Sequence, residues 1–183
     1  MEQEFSTVDR SAILAVADDA VRDAIDAPRD DVPDCPDAAV SGLFVTLRID
    51  GRLRGCIGFL EPLATFAETI REAARRAATE DPRFPSIEPE EVDAMRVEVT
   101  LLGPLVPLQN AEDFSIGTHG LLIEAHGRRG LLLPQVAVEH RWDKTKFLEA
   151  VSEKARLPRD AWKQPPSRLF RFEGTMIKGT MED

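Results

Sequence analysis

The segment from Leu43 to Ile57 constrains the fold of this chain more than any other. Apolar and polar residues alternate on both sides of Asp50-Gly51. Period-two alternation interrupted by Asp-Gly is the signature of a β-hairpin. Two registers compete. A two-residue loop at 50–51 sets Ile49 opposite Arg52 and Leu47 opposite Arg54, which mixes apolar and charged side chains on one face. A three-residue loop at 49–51, with Gly51 left-handed, pairs Leu47 with Leu53, Val45 with Gly55 and Leu43 with Ile57. That register makes one face wholly apolar, and burial of one face is what selects a register. It is the expected pairing, and it turns Cys56 to the opposite face with Phe44, Thr46, Arg48 and Arg54.

The second strand carries Leu53-Arg54-Gly55-Cys56-Ile57-Gly58. Glycines near a cysteine let other groups approach closely. A thiol held there can be a nucleophile, a metal ligand or a small packed side chain. Neighbouring arginines favour the thiolate form. The other cysteine, Cys35, lies in Asp-Asp-Val-Pro-Asp-Cys-Pro-Asp, where the aspartates make it a poor nucleophile. Two cysteines without a Cys-x-x-Cys pair are too few for a disulfide framework.

With 183 residues, 43% of them hydrophobic and 31% charged, the chain reads as a soluble globular protein. One domain over 1–183, with two lobes, is expected. No apolar run approaches the roughly 20 residues of a membrane span. The opening MEQEFSTVDR lacks the order of a signal peptide, so a cytoplasmic location is expected. The net charge of −10 disfavours bulk nucleic-acid binding, which runs on surplus Lys and Arg. Residues 141–178 run the other way, with ten basic and five acidic residues. This stretch is either a receptor for an anionic partner or an ordinary solvated face.

Ser6 is a candidate cap for a first helix, whose buried stripe is Ile13, Leu14, Ala17, Val21, Ala24 and Ile25. Pro62 fits the first turn of a second helix, with Leu63, Phe66, Ala67, Ile70, Ala74 and Ala77 inward. Asp81-Pro82-Arg83-Phe84-Pro85 ends it. A short helix over 89–95 and a strand over 96–102 follow. Leu121 to Ala125 and Arg129 to Leu133 suggest another hairpin, across His126-Gly127-Arg128. A helix over 143–155 with Phe147, Leu148 and Val151 inward precedes a last strand over 167–176. Hairpins mixed with segregated helices predict an α+β fold of mostly antiparallel sheets with flanking helices.

Leu53-Arg54-Gly55-Cys56-Ile57-Gly58, Asp81-Pro82-Arg83-Phe84, Val97-Glu98-Val99-Thr100, Gly117-Thr118-His119-Gly120 and Leu133-Pro134-Gln135-Val136-Ala137 with Glu139 and Trp142 occur in that order. In this the chain resembles the AMMECR-one domain family. It departs from the family at Thr100, where serine is frequent, at Ser152, and at His140-Arg141. The resemblance implies larger and smaller lobes enclosing a cleft lined by these motifs. It implies no settled activity and no known cofactor. It also suggests partners by association, a Memo-like dioxygenase-fold protein and a radical-SAM protein.

Cys56, His119 and Glu139 supply a thiol, a base and an orienting carboxylate, the three parts of an activated nucleophile. Arg54 is a candidate for stabilising the thiolate or holding a substrate anion. Gly55, Gly58, Glu98, Thr100 and Gly120 are candidates for lining the same site. Arg83 is read either as an anion clamp or as a partner of Asp81 that fixes the loop while Phe84 plugs the core. The same residues also support a purely structural reading, with Cys56 packed under a glycine-rich turn. Glu124 and His126 share a strand face and are weak metal candidates, since no recognised ligand spacing is present. Trp142 is either a stacking surface or a buried anchor. Two functions stay open: a cysteine-dependent enzyme acting on a small anionic substrate, or a non-catalytic module binding protein or RNA through the cleft or the basic region.

Overall fold

The structure, a computed structural model, describes residues 7–27 and 33–179. The expected cap at Ser6 lies outside them. The chain forms two compact units, one of residues up to Leu101 together with those from Thr175, the other spanning Leu102–Gly174. The elements are helices and antiparallel strands, as the alternation of hairpins and helical stretches predicts.

In the first unit, helix α1 (Thr7–Ala24) precedes the hairpin of β1 (Gly42–Ile49) and β2 (Arg52–Phe59), helix α2 (Phe66–Thr79), a 3₁₀ turn (Pro89–Ala94) and strand β3 (Met95–Leu102). The strands lie in the order β2-β1-β3, with the end of the final strand beside β3. Ile13, Val16, Ala17 and Val21 of α1 pack with Leu43, Val45 and Leu47 of β1. Phe66, Ile70, Ala74 and Ala77 of α2, with Val99 of β3, complete this core.

Helix α2 begins four residues later than Pro62 predicts. Thr65 caps it: its hydroxyl accepts from the Glu68 amide at 3.2 Å, and the Glu68 carboxylate accepts from the Thr65 amide at 2.9 Å. This reciprocal box fixes the start more strongly than a proline about one turn upstream. Leu63 is consequently outside the helix and 53% exposed, not part of the buried stripe.

The hairpin register is neither of the two expected. Asp50 and Gly51 have φ of 51° and 75°, a two-residue turn whose twist suits a hairpin. Ile49 faces Arg52 and Arg48 faces Leu53. A β-bulge then leaves Arg54 unpaired, after which Leu47 faces Gly55, Thr46 faces Cys56 and Val45 faces Ile57. The bulge reconciles the two demands that neither simple register met. The turn keeps its two residues, and Leu43, Val45, Ile57 and Phe59 still share the core side. Cys56 emerges on the expected face, opposite Thr46, while Leu53 does not join Leu47.

In the second unit, strand β4 (Val106–Pro107) pairs with the last strand. A hairpin of β5 (His119–Ala125) and β6 (Arg128–Leu132) turns at His126-Gly127, two residues with φ of 52° and 72°. Helices α3 (Pro134–Glu139) and α4 (Lys144–Lys154) follow, then β7 (Arg168–Lys178), which pairs with β5. The Asp143 carboxylate caps α4 by accepting from the Lys146 amide at 2.8 Å. Phe147, Leu148 and Val151 of α4 bury against Leu121 and Ile123 of β5.

Gly55 is where β2 touches α2: a Cβ there would run into the carbonyl oxygen of Ala77. The clash is with backbone, which cannot rotate aside. Gly55→Ala is therefore expected to destabilise the protein by about 1–3 kcal/mol, measured as a lowered urea midpoint at unchanged m-value.

Candidate functional site around Cys56

Cys56 is a free, half-buried thiol whose backbone is held from both sides. Its amide donates to Asp81 Oδ2 at 2.9 Å, and its carbonyl accepts from Arg83 Nη2 at 3.2 Å. Asp81 and Arg83 are joined to each other by two side-chain hydrogen bonds, Nε to Oδ1 at 2.9 Å and Nη2 to Oδ2 at 2.7 Å. The Arg83 amide adds a third contact to Oδ1 at 3.1 Å. The loop after α2 thus reaches back and clamps the strand at the cysteine. Prolines 82 and 85 stop the helix, and the loop they begin brings the clamp into place.

Asp81 is only 4% exposed, so its charge needs the partners it has. The Arg83 guanidinium chiefly, with the Cys56 and Arg83 amides, holds the Asp81 carboxyl down at about 2 against burial. Arg83 is raised in turn, first by its bond to Asp81 and also by proximity to the Cys56 sulfur. Of the two readings of Arg83, the pairing with Asp81 is observed. Phe84 does not plug the core; it is half-buried with the Arg83 guanidinium 5.4 Å over its ring.

The sulfur accepts a hydrogen bond from Thr46 Oγ1 at 3.3 Å. Thr46 is its direct cross-strand partner and is itself buried. On β3, Glu98 pairs with Arg48 at 3.2 Å, and Thr100 is buried. Phe44, Thr46 and Cys56 point away from the side that Leu43, Val45 and Leu47 bury against α1 and α2. The Arg48–Glu98 pair joins β1 to β3 outside that core. Gly58, opposite Phe44, has the Phe44 ring where a side chain would be.

Arg54 does not sit beside the thiol as the register argument expected. The bulge that leaves it unpaired sends its guanidinium to Glu91, at 2.9 and 2.7 Å, and to the carbonyls of Pro85 and Ser86, at 2.6 and 2.9 Å. It is a tie to the 85–91 segment, and its bonds hold Glu91 below the usual carboxylate range. Cys35 is pushed up mainly by burial, opposed by Arg71, with Asp37 a smaller contribution than the sequence suggested.

In the second unit, His119 opens β5 with little exposure. Its Nδ1 accepts from the Ser115 amide at 3.0 Å, which puts the ring proton of the neutral form on Nε2. Nε2 faces Glu173 Oε1 at 4.0 Å, and the two residues are paired across β5 and β7. Glu173, not Glu139, is thus the carboxylate beside this imidazole. Glu139 is exposed at the last position of α3. Gly120, next to His119, faces Phe172, whose ring occupies the space a side chain would need. Trp142 is partly buried against the second core, and the His140 ring stacks on it at 4.6 Å.

The direct pairing of Thr46 with Cys56, the position of Glu173 and the bond from the Cys56 amide to Asp81 were not expected. An Asp-Gly turn followed by a bulge identifies Thr46 as the partner of Cys56. No sequence signal ties Glu173 to His119, because they meet only through β5–β7 pairing. Among the described residues, no group of three or more His, Cys, Asp or Glu is gathered to hold a metal. The Glu124 carboxylate, one of the two weak metal candidates, is paired with Arg129 and Arg168 at 2.7 Å each.

Because the folded carboxyl of Asp81 titrates below its unfolded value, its contribution is present above about pH 4 and is lost as pH falls toward 2, about 2 kcal/mol in all. Asp81→Asn should remove that acid limb from the pH profile of unfolding free energy.

The comparisons agree with this architecture. The chain matches the family described as AMMECR1 over residues 10–177. A protein of Methanothermobacter thermautotrophicus is 45% identical over 142 residues, 74% of each chain. One from Thermococcus gammatolerans is 40% identical over 164 residues, covering 84% of this chain and 79% of its own. The crystal structure of the uncharacterised protein PH0010 from Pyrococcus horikoshii superposes with a TM-score of 0.84 at 32% identity, over 94% of this chain and 92% of that one. Shared sequence, shared fold and the matched span lead to one assignment: the chain belongs to the AMMECR1 family.

Proposed function

We propose that the protein is a cysteine-dependent enzyme acting on a small anionic substrate, with Cys56 as its nucleophile. The observation that carries the proposal is the hydrogen bond from Thr46 Oγ1 to Cys56 Sγ. A buried hydroxyl aimed at sulfur stabilises a thiolate more than a thiol, because charge strengthens the bond it accepts. Arg83 adds a cation fixed in place by Asp81, and its half-exposed guanidinium retains donors for a substrate anion. The backbone clamp through Asp81 holds the nucleophile at one orientation, which is what a reacting group needs. Its role is that of a positioning residue.

In the second unit, His119 and Glu173 form a separate imidazole–carboxylate pair. Glu98 and Thr100 belong to β3, strand neighbour of β1, and serve as lining groups. The binding-module reading draws less support. Four of the ten basic side chains after residue 140 are tied down locally: Arg159 to Glu149, Arg168 to Glu124, Lys144 to the Glu112 carbonyl and Arg171 to the Asp113 carbonyl.

A Cys35→Ser background isolates Cys56 for alkylation by iodoacetamide across pH. The expected rate at pH 7 exceeds that of free cysteine, and Thr46→Val lowers it by roughly tenfold, the worth of one hydrogen bond to a charged group. Alkylation no faster than free cysteine at every pH would sink the nucleophile assignment.

A further inference from the structure

We propose that Cys56 is also a redox switch: a hydroperoxide converts its thiol to a sulfenic acid, which persists until a small external thiol reduces it. The inference rests on the nucleophile reading of Cys56 and adds an oxidant to it. The chain has two cysteines, both free thiols, and three features single out Cys56. Its sulfur is flanked by donors. Thr46 Oγ1 donates to Sγ at 3.3 Å, and the Arg83 guanidinium, held chiefly by Asp81, also lies near the sulfur. The Cys56 amide, in contrast, is spent on Asp81 Oδ2 at 2.9 Å. The nucleophile's own amide is therefore not available to an acyl oxyanion, whereas peroxide cleavage is helped by a cation beside the departing oxygen. Arg83, with 53% of its side chain exposed, supplies that cation.

The third feature is Thr100 on β3, the strand next to β1. Val99 and Leu101 turn into the first core, so Thr100 faces the other side, the side of Thr46 and Cys56. Thr100 is 3% exposed, yet its hydroxyl makes no hydrogen bond among the described residues. An unmatched buried hydroxyl on this face calls for a small polar ligand, and a hydroperoxide suits it in size and hydrogen-bonding capacity.

In the oxidation, a sulfur lone pair attacks one peroxide oxygen. An S–O bond forms and the O–O bond breaks. Sulfur is oxidised by two electrons and the peroxide is reduced by two. The departing hydroxide or alkoxide takes up the proton that the thiol gave, leaving water or an alcohol. The sulfenic acid has no exit within the chain. Cys35 packs against the first core, on the side of the sheet that Cys56 faces away from, beyond the reach of a disulfide. Cyclisation onto the Ile57 nitrogen is closed as well. The Cys56 amide points out of the sheet edge to Asp81, so the next amide points into the ladder opposite Val45. One external thiol therefore forms a mixed disulfide with release of water, and a second returns Cys56 to the thiol. While oxidised, the sulfur cannot act as the proposed nucleophile.

The test treats the full chain at neutral pH with equimolar hydrogen peroxide, traps sulfenic acid with dimedone and locates the adduct by peptide mass spectrometry. The expected adduct is on Cys56 and not on Cys35, formed at a rate at least about tenfold above the oxidation of free cysteine. Without dimedone, the intact mass should gain one oxygen, show no Cys35–Cys56 disulfide and return to the parent value with dithiothreitol. Thr46→Val should slow oxidation by roughly tenfold, the worth of one hydrogen bond to a charged group. Thr46→Ser keeps the hydroxyl and should keep the parent rate, with circular dichroism checking both folds. The proposal is overturned by absence of the adduct, by an internal disulfide, by oxidation no faster than that of free cysteine, or by a Thr46→Val variant oxidised as fast as the parent. Iodoacetamide separates the two readings of Cys56. Fast alkylation with slow oxidation overturns the switch alone, and slow reaction with both reagents overturns the nucleophile as well.

Discussion

The buried carboxylate of Asp81 is the interaction on which the candidate site depends. It sits at the junction of α2 and the following loop and reaches β2 through the Cys56 amide. Burying an ionised carboxyl is costly unless charge and hydrogen bonds are returned to it. Here Arg83 returns both, and then spends a remaining donor on the Cys56 carbonyl. Helix end, loop and strand are thereby locked around one residue. Gly55 serves the same junction sterically, by letting β2 lie against the Ala77 carbonyl. Both constraints act on residues 55 and 56, which ties the geometry of the thiol to the stability of the first unit.

This double duty bears on how the motif is to be read. Gly55 and Gly58 have packing reasons to be glycine that need no substrate. Arg54 has a tying role that needs none either. The feature that packing does not require is the polar contact at the sulfur. A hydroxyl from Thr46 directed at the Cys56 sulfur adds little to a core, and it is the contact on which the proposed nucleophile role rests. The proposed function therefore draws on the cross-strand pair of Thr46 and Cys56 more than on the six consecutive residues around it.

Much of the fold was legible because it rests on periodicity. The α1 stripe, the inward face of α4 and the alternation in β3 follow directly from the spacing of apolar residues. The start of α2 was less so, because a proline and a capping threonine compete and the reciprocal bonds at Thr65 decide. The β1–β2 register needed a third option, since turn chemistry and burial each favoured a different pairing and a bulge satisfies both. In the candidate site, residue types were readable but partnerships were not. Arg54 ties down the 85–91 segment instead of facing the thiol, and Glu173 stands beside His119 where Glu139 was expected. Such pairings depend on strand register and loop return, which a single chain does not print.

The bulge at Arg54 also separates two properties of the hairpin that usually travel together. In a regular two-residue hairpin, the turn dictates the phase of every residue after it, and here that phase would aim Cys56 at the core beside Val45. The extra residue resets the phase before the cysteine is reached. Loop and thiol are therefore decoupled. The Asp50-Gly51 tip can be exchanged for another two-residue turn without turning the sulfur inward, whereas deletion of a single residue between Leu53 and Gly55 would invert its facing while leaving the tip intact. The strand carries its orientation signal in the irregularity, not in the turn that starts it.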